Sequence, residues 1–255
     1  MLCRKHVVAR AEPEAISARG RLLRQLPVSS QRQGQVLAVE DCLTTMEFLR
    51  KHWYDLAGVL SLITLALLGI YRSQLTNYQI LMWLSLVSLF LHQLEEYRIA
   101  GTFPGMVNRV MFNSSQPDRY PLNTNTALAV NVWVGWTAYF LAAIAGEKFT
   151  WLGVATILVS LGNVLAHTFV FNLKGKTMYN AGLATSLLFF VPCVFFFFRI
   201  ITEGNLATIT DYMIGVPLGI ALNVLGILKL ITWLSDKNTK YIFDDRNLLP
   251  QDRKK

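Results

Sequence analysis

The chain has 255 residues, of which 53% are hydrophobic and 16% are charged, and its formal net charge is +8. Soluble globular chains carry about 25% charged residues, so this composition argues against an ordinary soluble domain and indicates an integral membrane protein in a lipid bilayer. In such a chain a positive balance reflects basic loops and tails, and we expect no nucleic-acid partner. The cysteines, Cys3, Cys42 and Cys193, form no CxxC pair, and they indicate neither a disulfide framework nor a cysteine metal site.

Residues 1–45 differ in composition from the rest of the chain. They hold seven of the 24 Lys and Arg residues and contain no apolar run long enough for a signal peptide. We predict a basic, disordered leader here. An Arg-rich transit peptide, or a natural translation start at Met46, are the alternatives.

Six apolar segments follow the leader. Each is close to the roughly 17 to 25 residues that a membrane-spanning helix needs, and their continuous apolar character favours helices over alternating β-barrel strands. The segments are residues 53–71, 78–96, 125–145, 149–173, 179–198 and 212–234. The sequence therefore predicts an all-α integral membrane protein with six transmembrane helices, a domain over residues 46–235, and a basic tail over residues 236–255.

The distribution of basic residues predicts the orientation of this domain. Lys and Arg concentrate before the first segment, in the second and fourth loops, and in the tail, whereas the alternate loops carry one each. Basic loops stay on the cytoplasmic side, so both termini are predicted to be cytoplasmic. The membrane is either a bacterial inner membrane or a eukaryotic internal membrane.

The stretch His92-Gln93-Leu94-Glu95-Glu96 ends the second apolar segment. On a helix, residues three and four apart share a face, so both glutamates lie beside His92. Ionisable groups at the end of a membrane span are costly, and they indicate a functional site by default. With the predicted orientation, further polar residues fall at the same cytoplasmic depth: Asn131, Asn163, His167, Tyr179 and Asn180. The sequence therefore predicts a polar site near the cytoplasmic leaflet.

The His-x-x-Glu-Glu pattern resembles the signature of the HXXEE-domain family of multi-pass membrane proteins. The resemblance extends to Phe103-Pro104, to Asn131, to Asn163 and His167, and to the run Tyr179-Asn180-Ala181-Gly182. Ala181 departs from the family pattern, which has proline at that position. The resemblance covers roughly residues 50–235. It implies where the site lies, and it implies no particular reaction, because the family has no settled biochemical function.

Three interpretations of the polar residues stay open. In the first, His92, Glu95, Glu96 and His167 hold zinc, or iron or manganese, and leave one coordination position open for catalysis. In the second, the adjacent glutamates and a histidine exchange protons without a metal. In the third, the polar residues only stabilise helix packing.

Our leading hypothesis from the sequence is an enzyme that acts on a lipid-like or amphipathic substrate. His92, Glu95 and Glu96 are the candidate catalytic residues. The candidate substrate-binding residues are Asn131, Asn163, Tyr179 and Asn180. The alternative is a non-enzymatic transporter, a proton or ion relay, or a membrane scaffold.

Overall fold

The computed structural model describes the backbone of residues 30–253 and the side chains of residues 44–253. This part of the chain is helical and contains no β-strand, which confirms the all-helical prediction. The first helix of the described part begins at Ser30, inside the predicted leader of residues 1–45, and residues 1–29 of that leader lie outside the described residues. The residues from Arg50 onward form one compact unit, and those up to Leu49 belong to a separate unit.

Within residues 30–253, six long helices make up the fold, and several of them contain π-helical turns. Helix α1 is Ser30–Tyr71; α2 is Asn77–Leu94, continued by the π-helical turn Glu95–Ile99; α3 joins Thr124–Leu128, Ala129–Trp136 and Thr137–Ala145; α4 joins Thr150–Leu165, Ala166–Val170 and Phe171–Gly175; α5 joins Leu183–Thr185, Ser186–Phe190 and Val191–Glu203; and α6 joins Ile209–Ala221, Leu222–Lys229 and Leu230–Trp233. A shorter helical stretch, Phe103–Gly105 and Met106–Met111, lies between α2 and α3.

Local sequence signals set the helix boundaries. The hydroxyl of Thr76 accepts a hydrogen bond from the backbone N–H of Gln79, and the Gln79 side chain accepts one from the backbone of Thr76. This reciprocal capping box satisfies free backbone donors at the start of α2. Between α3 and α4, Gly146 has a φ of +57°, a conformation that side-chain-bearing residues rarely adopt. The chain reverses there, and α3 and α4 pack against each other.

The core of the compact unit lies between α2, α3, α4 and α5. One cluster surrounds the start of α2, where Tyr78 and Met82 pack with Ile157 of α4 and Phe197 of α5. A second cluster lies further along α2 around Leu86 and Phe90 and includes residues of α1, α3, α4 and α5. Because these clusters bury most of α2, this helix carries its polar end into the interior of the bundle.

Four helical segments are long and apolar enough to cross a membrane, which supports the membrane-protein prediction. They are Thr44–Gln74, Thr124–Gly175, Leu183–Glu203 and Ile209–Trp233. The predicted number of six is wrong by this measure. Two predicted spans fall in the single segment Thr124–Gly175, which reverses at Gly146, and α2 is not among the four. Helix α2 is not among the four segments because it carries buried polar residues, including Ser85 and Gln93, which lower its apolar character.

The C-terminal segment, residues 236–253, packs against the end of α2. The Asn247 side chain donates hydrogen bonds to the backbone oxygens of Tyr97 and Gly101, at 3.1 and 2.9 Å. Arg246 donates to the backbone oxygen of Tyr97 as well, at 2.8 Å. Carbonyls at a helix C-terminus have no partner within the helix, so Asn247 caps α2 from a point far along the chain. The prediction of a basic tail did not include this role.

Candidate functional site

Two histidines and one glutamate form a buried cluster where α2 and α4 meet. The Nε2 atom of His92 lies 3.5 Å from Oε1 of Glu96, and Nε2 of His167 lies 3.3 Å from the same oxygen. The three residues are 2%, 3% and 1% exposed, in the order His92, Glu96 and His167. Their potential ligand atoms all lie within 4.8 Å of one another. The π-helical turns Glu95–Ile99 and Ala166–Val170 carry two of them, and such turns occur frequently at functional sites.

The tautomer of His167 follows from its hydrogen bonds. Asn180 Nδ2 donates to the backbone oxygen of His167 and to Oδ1 of Asn172, both at 2.8 Å. The Oδ1 atom of Asn180 therefore faces Nδ1 of His167, at 2.6 Å, and accepts its proton. In neutral His167 the lone pair consequently lies on Nε2, which has no hydrogen-bond partner among the described residues.

The tautomer of His92 is set in the same way, through Thr185. The Thr185 hydroxyl donates to Oε2 of Glu95 at 2.5 Å, so it accepts a hydrogen bond from Nδ1 of His92 at 3.0 Å. In neutral His92 the lone pair again lies on Nε2, which is likewise without a partner in the described part of the chain. Both imidazoles therefore direct an acceptor towards the carboxylate of Glu96. Two lone pairs and a carboxylate oxygen repel one another unless a cation or a proton lies between them.

Glu95 lies outside this cluster and connects α2 to the start of α5. Its carboxylate accepts hydrogen bonds from the backbone N–H groups of Ala184 and Thr185, from the Thr185 hydroxyl, and from the Tyr179 hydroxyl at 2.7 Å. Free backbone N–H groups at the start of a helix favour an anion there. Burial, together with the hydrogen bond and negative charge of Glu95, raises the pKa of Tyr179 to about 12. Tyr179 therefore stays neutral and donates to Glu95 across the physiological pH range.

Gly182 brings the two histidines together. Its φ of +101° lies in the left-handed region that favours glycine. A Cβ atom at this position would lie 2.4 Å from Cε1 of His167 and 2.8 Å from Cε1 of His92. The backbone of residue 182 therefore occupies the space between both imidazoles and α5, and only glycine leaves that space free.

Aromatic rings surround the imidazoles. The ring of Phe103 stacks on His167 with centroids 5.7 Å apart, and Phe171 lies 4.9 Å from the same imidazole. Phe190 of α5 lies 4.8 Å from His92. This apolar shell lowers the local dielectric constant and strengthens electrostatic interactions within the cluster.

A cavity lies next to the cluster, between α2, α3, α4 and α6. Its centre offers about 80 Å³ to water-sized molecules, which is room for several of them. His92 and Glu96 line it, as do Asn131 and Asn163, but His167 does not. The cavity therefore contacts the cluster through the side chains of His92 and Glu96.

The structure brings together part of the predicted site. Of the four predicted metal ligands, His92, Glu96 and His167 meet, whereas Glu95 supports the cluster through Thr185. Of the four predicted substrate-binding residues, Asn131 and Asn163 line the cavity. The other two contact site residues instead: Tyr179 donates to Glu95, and Asn180 accepts from His167.

Sequence reasoning missed several residues of the site. Thr185 gave no signal, because a threonine inside an apolar segment is common. Gln93 and Tyr97 are four residues apart and share a face of α2, so helical spacing beside Glu96 could have identified them. The contact between Asn247 and the end of α2 has no sequence signal, since 146 residues separate Asn247 from Gly101.

Comparison with known proteins finds one family model that matches the region of this site. A family model described as a protein of unknown function with HXXEE motif matches residues 83–197. No curated protein and no solved structure matches the chain. The matched region contains every candidate site residue predicted from the sequence. The resemblance noted from the sequence is thereby confirmed over residues 83–197, which match the HXXEE family model.

Proposed function

We propose that the chain is a membrane enzyme whose His92, Glu96 and His167 hold a divalent metal ion and whose substrate is lipid-like or amphipathic. The observation that carries the proposal is the pair of unpartnered Nε2 atoms facing one oxygen of Glu96. Two imidazoles and a carboxylate are the ligand set of catalytic zinc sites and of non-heme iron sites. Manganese is a further candidate.

Two of the three distances within the cluster suit such an ion, and the ligand atoms of the two histidines lie within 4.8 Å of each other. Metal–ligand bonds of about 2.0 to 2.1 Å in tetrahedral geometry place neighbouring ligand atoms about 3.3 to 3.4 Å apart. The two histidine-to-glutamate distances, 3.3 and 3.5 Å, are close to this separation. Three protein ligands leave one position open, where a metal ion activates water or polarises a substrate oxygen.

The charge of the site also favours a divalent cation. Glu95 and Glu96 are both buried, and among the described residues no Lys or Arg forms an ion pair or hydrogen bond with either. Buried carboxylates without compensating charge are costly. One divalent ion balances two negative charges and is shielded from water by the surrounding aromatic rings.

The supporting contacts are of the kind that metal-binding histidines have. Such histidines usually donate their second N–H to a carboxylate or carbonyl group, which fixes the ring and its tautomer. Asn180 does this for His167, and Thr185 together with Glu95 does it for His92. A purely structural cluster has no need for both imidazoles to present the same unprotonated nitrogen to one oxygen.

Metal content of the protein purified in detergent without chelators tests the proposal. We expect about one zinc, iron or manganese per chain, lost in both His92→Ala and His167→Ala. Because His52 is half exposed and lies outside the cluster, His52→Ala is the matched control and should retain the metal. Absence of metal from the folded wild-type protein would falsify the metal site.

Absence of metal from the folded protein would favour a second candidate function, a proton relay. The same short contacts suit an imidazolium that donates from Nε2 to Glu96. Proton uptake into proteoliposomes, lost in Glu96→Gln, would then be the activity to measure.

We propose further that the site lies near the cytoplasmic face, with both termini in the cytoplasm. The excess of Lys and Arg in the flanking loops supports this orientation. Asn113-Ser114-Ser115 is a glycosylation sequon in the loop after α2, and Asn113 is exposed. This orientation requires α2 to cross the membrane in addition to the four apolar segments, with Thr124–Gly175 crossing it twice. Expressed in a eukaryotic host, Asn113 should then remain unmodified, while a sequon introduced at the exposed residue 205, in the loop before α6, should be modified. A glycan at Asn113, detected as a mass shift that glycosidase removes, would invert the topology.

A further inference from the structure

A directed chain of hydrogen bonds runs along one wall of the cavity. Trp136 Nε1 donates to Oε1 of Gln93 at 2.6 Å, and Gln93 Nε2 donates to Oδ1 of Asn131 at 3.0 Å. Asn131 Nδ2 then donates to the hydroxyl oxygen of Tyr97 at 3.3 Å. An indole N–H can only donate, so Trp136 fixes the orientation of both amides. This series of hydrogen bonds therefore ends at Tyr97, whose hydroxyl oxygen accepts the last one.

The hydroxyl hydrogen of Tyr97 is consequently free to donate elsewhere. Tyr97 is 1% exposed and lines the cavity. Across the described residues, no group accepts a hydrogen bond from this hydroxyl. Buried polar groups nearly always have a partner, so a donor of this kind indicates a ligand or solvent molecule in the cavity. His92 and Glu96 of the cluster line the same cavity, so the donor and the cluster face one pocket.

The rest of the cavity wall is mainly apolar and comes from four helices and the connection before α3. Its apolar members include Leu89, Val134, Ala138, Val159, Leu222 and Ile231. The polar side chains of the wall are few: those of the hydrogen-bond series that ends at Tyr97, Tyr139, which is hydrogen-bonded to Ser160, Asn163, and His92 and Glu96 of the cluster. A pocket with apolar walls and few fixed polar groups selects a ligand that is largely apolar.

We infer that this cavity binds the head end of an amphipathic molecule, namely a carbonyl oxygen and the first carbons of an apolar chain, as in a fatty ester. The first carbons of the ligand's hydrocarbon chain lie against the apolar wall, and its carbonyl oxygen accepts the hydrogen bond from the Tyr97 hydroxyl. This inference rests on the proposed function, because the head group then lies beside His92 and Glu96. Tyr97 is thereby assigned as a substrate-contacting residue, in addition to its place in the aromatic cluster with Trp53.

Photo-crosslinking with two diazirine probes of equal chain length tests the inference. One probe is a fatty methyl ester and the other is the corresponding hydrocarbon. We expect the ester to label peptides that line the cavity about five-fold more than the hydrocarbon does, since one hydrogen bond contributes on the order of that factor. Tyr97→Phe keeps the ring and removes the donor, so it should abolish the preference. Tyr54→Phe is the matched control, because Tyr54 stacks on Tyr97 but does not line this cavity.

A second pair of variants tests occupancy of the cavity itself. Ala138→Leu places a larger side chain on the cavity wall, whereas Thr137→Leu changes an exposed position on the same helix. Labelling of cavity peptides by both probes should fall in Ala138→Leu and persist in Thr137→Leu. Labelling confined to outward-facing residues, or an equal response in both variants, would overturn the inference.

Metal content measured on the same samples separates this inference from the proposed function. Cavity labelling that depends on Tyr97 in a metal-free protein would refute the metal site and support the ligand site. Full metal content without cavity labelling would refute the ligand site alone.

Discussion

We expect Glu95→Ala to lower the free energy of unfolding by about 3 kcal/mol, because it leaves several buried donors without an acceptor. The carboxylate of Glu95 accepts from two backbone N–H groups and two hydroxyls at the start of α5. The hydroxyls of Thr185 and Tyr179 can turn towards other acceptors, but the backbone N–H groups cannot. Denaturant unfolding in detergent, followed by the loss of helical signal, measures the change. Glu203→Ala is the control, since its exposed pair with Arg199 contributes little.

The neighbouring glutamate should show the opposite pattern. In Glu96→Gln, the new amide can donate to the Nε2 atoms of His92 and His167, so we expect stability within about 1 kcal/mol of the wild type and loss of the metal. Glu95→Gln should lose stability and retain metal, because residue 95 is not a ligand. If Glu95→Gln lost the metal while remaining as stable as the wild type, our distinction between the two glutamates would be wrong.

The second large effect is expected for Gly182→Ala. The added methyl group would overlap both imidazoles, at 2.4 Å from His167 and 2.8 Å from His92, in a backbone conformation that alanine rarely adopts. Positive φ alone costs about 1 kcal/mol for a residue with a side chain, and displacement of buried rings adds to it, so we expect a loss of about 3 kcal/mol. Metal binding should be lost in whatever fraction still folds, because both ligands must move.

The variant Gly101→Ala distinguishes the cost of a positive φ from the cost of a clash between the new methyl group and its neighbours. Gly101 also has a positive φ, +74°, but the nearest atom to a Cβ there lies 3.6 Å away, an ordinary contact. We expect Gly101→Ala to show only the cost of strain and to keep its metal. Equal losses in the two variants would show that backbone strain, and not contact with the histidines, explains the effect at residue 182.

The helices could be predicted from sequence because apolar length and capping residues are local properties. Each of the six predicted segments lies mostly in a helix, although residues 179–182 of the fifth precede α5, which begins at Leu183, and the predicted number of membrane spans was wrong. The apolar pattern predicted α2 as a membrane span like the other helices, although its buried serines, His92 and Gln93 distinguish it from them. A helix that is enclosed by other helices tolerates polar residues that a lipid-facing helix does not, and enclosure depends on tertiary packing.

The site was predictable in its members but not in their roles. Helical spacing placed Glu95 and Glu96 equally close to His92, and only the contacts with α5 separate them. Depth in the membrane indicated that His167 and Asn180 lie near the motif. It could not show that Asn180 sets the tautomer of His167, because that depends on the orientation of one amide.

The C-terminal segment has a consequence for how the domain can be isolated. All the proposed ligands lie within residues 83–197, the part that the family model matches. The side chain that caps the end of α2, Asn247, lies fifty residues beyond it. A fragment trimmed to the matched region would keep every ligand and leave the carbonyls of Tyr97 and Gly101 open to water. The turn that holds Glu96 would then be free to unwind, so we expect the smallest unit able to bind the proposed ion to be larger than the unit that sequence comparison outlines.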